Sequence, residues 1–166
     1  MAALAVGILG TAMVSSSSVV SGVSTSLLVG TITTTTSSIG NAIAYLTSSS
    51  QPGIGDIISV LTNIDLEFTI KIIQQLVKEQ EAHQLNDSIK QALIGVHEIL
   101  EKINRELDGV KQAIEYHNTK YLNGWRSFAW NGNINILKDH SVILKHRYSL
   151  LFELLKIYNQ QKHTKE

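Results

Sequence analysis

Apolar residues recur at alternating steps of four and three along the middle of the chain. The repeat continues through His117 to Tyr121, with charged residues such as Glu98 and Lys102 on either side. This is the spacing of a helix seam in a coiled coil. It predicts a helix over about residues 88–122, with a seam formed by Ile89, Leu93, Val96, Leu100, Ile103, Leu107, Val110 and Ile114.

A second seam of the same spacing follows and predicts a helix over about residues 134–160. Asn123-Gly124 and Asn131-Gly132 lie between the two repeats and are turn signals. Because connections in compact helical domains are short, the two helices are expected to form an antiparallel hairpin. The second seam consists of Leu137, Ser141, Leu144, Tyr148, Leu151, Leu155 and Tyr158.

A third amphipathic pattern precedes this hairpin and predicts a helix over about residues 62–85. Its apolar stripe fades after Val77, in the polar run 78–87. The short apolar run Ile54–Leu61 is compatible with an additional helical turn. The expected fold class is therefore all-α, a helical hairpin or three-helix bundle formed by residues 51–166.

The first 55 of the 166 residues contain no Asp, Glu, Lys, Arg or His and are rich in Ser, Thr and Gly. The only proline follows this stretch, in Gln51-Pro52-Gly53, where a break in regular structure is expected. The chain thus divides into an uncharged segment, residues 1–50, and the helical part. The segment is expected to be buried away from water, against lipid or against neighbouring subunits.

Small residues at four-residue spacing suggest how the uncharged segment packs. Ser18, Gly22, Ser26 and Gly30 would form one ridge on a helix, and such ridges let two helices approach closely. A helical hairpin is favoured, although the β-branched run at residues 31–39 leaves strand structure open. Residues 1–46 are too hydroxylated to force insertion into a bilayer, so membrane contact is possible and burial against protein is slightly preferred.

The residue types that carry chemistry are sparse. There is no cysteine, and neither a glycine-rich phosphate loop nor a nucleophile elbow is present. His97 and Glu101, like Glu79 and His83, lie one helical turn apart, but neither pair has an evident third metal ligand. The sequence therefore predicts no enzyme, cofactor or metal, and the net charge of zero predicts no nucleic-acid partner.

Aromatic residues cluster between the two hairpin helices, and Arg126 lies among them. Their rings could cap the bundle core, or they could form a docking patch for a protein or for a membrane interface. The candidate patch is Tyr121, Trp125, Arg126, Phe128 and Trp130.

The order of the parts, an uncharged Gly/Ser/Thr-rich segment followed by long amphipathic helices, resembles helical pore-forming proteins and small structural proteins of large viruses. The leading expectation is a non-enzymatic subunit of a larger assembly, such as a virion structural or minor capsid protein. Protein partners or self-association follow from it, with a location in a virion, in another large assembly or at a membrane. The alternative is a helical pore-forming or membrane-inserting protein.

Overall fold

The computed structural model describes residues 24–50, 53–119 and 130–163, and this part of the chain contains five helices and no strand. The predicted all-α class is confirmed, and residues 31–39 are helical. The helices are α1 Thr25–Ser48, α2 Ile54–Asn63, α3 Leu66–Glu79, α4 Asp87–Asn118 and α5 Asn131–His163.

Helices α4 and α5 form the predicted antiparallel hairpin. Asn133 at the start of α5 donates a 2.6 Å hydrogen bond to Glu106, whereas Tyr158 near its end donates to the carbonyl of Gln84, just before α4. The eight seam residues of α4, from Ile89 to Ile114, are all fully buried. Long heptad patterns bury a continuous apolar stripe in this way, and here α4 packs against both α5 and α1.

Helix α1 buries one face in the core of the bundle and runs parallel to α4. Thr35 hydrogen-bonds to Glu101 at 3.1 Å, and ten residues further on Lys111 of α4 lies over the ring of Tyr45. The described part of the uncharged segment therefore shares one hydrophobic core with the other helices. Its main buried stripe also steps by four and three: Leu28, Ile32, Thr35, Ile39, Ala42 and Leu46.

Hydroxyl groups make this Thr-rich helix compatible with burial. Thr31, Thr34, Thr36 and Thr47 donate to backbone carbonyls one turn earlier in α1, at 2.8–2.9 Å. These four hydroxyls are thus satisfied within the helix and require no partner across the core. Ser24 caps the start of α1 by accepting a hydrogen bond from the Leu27 amide.

The helix predicted over about residues 62–85 has different bounds: residues 54–79 form two helices, and the short run 54–61 belongs to the first of them, α2. Asp65 has a left-handed backbone (φ 53°), which no helix interior accommodates, so α2 ends at Asn63 and α3 begins at Leu66. Helix α3 packs antiparallel to α1: Gln74 donates to the Ser37 hydroxyl, while Glu67 at the start of α3 lines one pocket with Thr47 near the end of α1.

Candidate interaction surface on helix α5

Helix α5 exposes a row of large apolar side chains on its outer side. Ile136, Ile143, Leu150 and Ile157 are separated by seven residues each and are 41%, 41%, 54% and 49% exposed. Single exposed apolar residues are common on protein surfaces, whereas a row that repeats along one face of a helix is a candidate interaction site. These four residues are called the α5 outer stripe below.

The outer stripe arises because α5 carries two heptad patterns. Each stripe residue immediately precedes a residue of the seam predicted for this helix, for example Ile143 before Leu144. Successive residues are about 100° apart around a helix. One apolar face therefore enters the bundle core, where Leu144 and Leu151 are fully buried. The adjacent face, about 32 Å long from residue 136 to residue 157, points outward.

An arginine holds α5 against α4 beside this stripe. Arg147 donates to the backbone carbonyl of Gly95 and pairs with Glu98 at 3.1 Å. The guanidinium is bound by a helix carbonyl and a carboxylate on α4, which fixes the rotation of α5 about its own axis. The orientation of the outer stripe is thus set by the bundle itself.

Two further exposed apolar residues lie on other sides of α5. Val142 is 69% exposed and Phe152 is 47% exposed. At about 100° per residue, Val142 lies on the side of the helix opposite the buried Leu144. Phe152 and the outer stripe lie on opposite sides of the helix, with the buried face between them. They belong to no continuous row, so the α5 outer stripe is a line of four residues and not a diffuse apolar surface.

The His97–Glu101 pair lies at the contact between α1 and α4. His97 Nε2 is 3.7 Å from Glu101 Oε1, and Glu101 also accepts from Thr35 and pairs with Arg105. Within the described residues, no group of three or more His, Asp or Glu side chains could hold a metal ion. The carboxylate serves to link α1 to α4, because it binds groups from both helices.

The predicted packing ridge lies partly outside the described residues, which do not include Ser18 and Gly22. Ser26 and Gly30 lie on the exposed side of α1. A Cβ placed on Gly30 would meet no atom within 4 Å, so nothing in the described bundle requires a glycine there. Contact of this ridge with another molecule stays a prediction.

The predicted aromatic docking patch also lies mostly outside the described residues, since Tyr121, Trp125, Arg126 and Phe128 fall between α4 and α5. Trp130 is described, directly before α5, and is buried with 6% exposure in the hydrophobic core. This tryptophan caps the core, as in the first interpretation of the cluster. Docking through the patch stays a prediction.

The α5 outer stripe was not predicted from the sequence, although a signal for it exists. Ile136, Ile143, Leu150 and Ile157 recur with a period of seven. The buried seam beside them has the same period and accounts for the helical pattern by itself. Only the packing shows that the bundle covers one of these two rows.

Membrane crossing was left open by the sequence. Of the helices in the described parts of the chain, none combines the length and the hydropathy that a bilayer span requires.

Comparison with known proteins gives one distant similarity. The chain is 25% identical over 167 aligned positions to an uncharacterised protein, L717, of Acanthamoeba polyphaga mimivirus. The alignment covers 84% of this chain and 80% of the viral protein. No protein-family model and no solved structure matches the chain. The chain is thus similar to a protein of a large virus over most of its length.

Proposed function

We propose that this protein is a non-enzymatic structural subunit of a larger assembly, which it joins through the α5 outer stripe. The observation that carries the proposal is the row of four half-exposed Ile and Leu residues at heptad spacing on a helix locked to the bundle. Such a rigid, preformed apolar row binds a partner helix or groove at little cost in conformational order.

The polar groups of the described residues support a structural role. Glu101 binds groups on two helices, Arg147 joins α5 to α4, and Asn133 joins α5 to Glu106. These groups are engaged in helix–helix contacts, where they stabilise one arrangement of the bundle. Groups that perform acid–base or nucleophilic chemistry instead lie where a substrate can reach them.

The similarity to a mimivirus protein supports a viral setting for the assembly. A small all-helical subunit within a virion, or within a virus-infected cell, agrees with that similarity. A role as a virion structural or minor capsid protein is the specific form of this proposal.

Site-specific photo-cross-linking tests the proposed function. A benzophenone amino acid is placed at Ile143 on the stripe, or at Val142, which is exposed on another side of α5, as the matched control. The protein is then irradiated in the cells that make it. We expect a discrete cross-linked protein from position 143 and none from position 142. Absence of protein cross-links from position 143 and from Leu150 would contradict the proposal.

A membrane-inserting protein is the second candidate, and one observation favours it. The exposed side of α1 carries no charge, since residues 24–50 contain no ionisable side chain except Tyr45. Insertion would require α1 to separate from α4, which breaks the Thr35–Glu101 hydrogen bond. Dye release from liposomes tests this candidate. Release by the intact protein that is lost on Thr34→Asp, an exposed position on α1, would favour it over the assembly role.

A further inference from the structure

We draw no further inference here: the strongest candidate, the cavity between the start of α1 and the turn before α4 that Ser24, His83 and Lys90 line, rests on a helix N-terminus, and within the described residues nothing else points to a bound anion, since His83 is only partly buried.

Discussion

Replacing Ile39 by alanine tests whether α1 belongs to the core of the isolated chain. Ile39 is fully buried near the middle of the buried stripe of α1 and belongs to the hydrophobic core. The substitution removes three carbon atoms, which is worth about 2.4 kcal/mol in transfer free energy. A residual cavity of roughly 50 Å³ adds about 1 kcal/mol. We therefore expect the free energy of unfolding to fall by about 3–4 kcal/mol.

Thermal and urea unfolding followed by circular dichroism measure this loss. For a chain of this size each kcal/mol shifts Tm by about 2–4 °C, so Ile39→Ala should lower Tm by roughly 6–16 °C. The urea midpoint should fall with little change in slope. Leu27→Ala is the matched control, because Leu27 lies on the same helix and is 59% exposed.

The result that refutes this reasoning is equal stability of the two variants. If Ile39→Ala and Leu27→Ala both leave Tm unchanged, α1 does not pack against α4 in the isolated chain. The uncharged segment would then be buried only by lipid or by other subunits, as the sequence alone allowed.

Three further predictions concern single contacts. Thr35→Val, which removes the hydroxyl donated to Glu101, should cost about 1–2 kcal/mol in unfolding free energy by urea titration, with Thr35→Ser near neutral. Arg147→Ala should cost about 1 kcal/mol, since its pairing with Glu98 is partly screened by solvent, and a loss below about 0.3 kcal/mol would argue against its anchoring role. Gly30→Ala should raise unfolding free energy by about 0.5–1 kcal/mol, because a methyl group fits there; weaker self-association of this variant would support the predicted packing ridge.

Sequence patterns predicted the α4–α5 hairpin well because its seams are apolar at nearly every step. The stripe of α1 has the same spacing, but Thr35 and Ala42 occupy two of its six positions. Hydrophobicity alone does not distinguish a buried threonine such as Thr35, whose hydroxyl donates to Glu101 on α4, from an exposed one. The parallel contact between α1 and α4 could not be predicted from the sequence, because it depends on the path that the chain takes from the end of α1 to the start of α4.

The break between α2 and α3 escaped prediction for a different reason. Asp65 adopts a left-handed backbone, but no glycine or proline lies next to it, so the sequence contains no local signal for a break. Local propensity favours a continuous helix here, while packing of Leu61 and Leu66 into one core favours a bend. The α5 outer stripe shows the same limit, since a periodic pattern identifies an apolar face without identifying what covers it.

The parallel pairing of α1 with α4 has a consequence for synthesis of the chain. Thr35 contacts residues 62 and 66 positions later, so α1 leaves the ribosome well before its main partner exists. At typical elongation rates of about 5–20 residues per second, this interval is on the order of 3–13 s. During that time α1 must avoid aggregating although it has no charge. Threonine and serine hydroxyls, many of which bond to the helix's own carbonyls, make the uncovered α1 less hydrophobic than a purely aliphatic helix. The composition of α1 therefore suits a segment that is synthesised early and buried late.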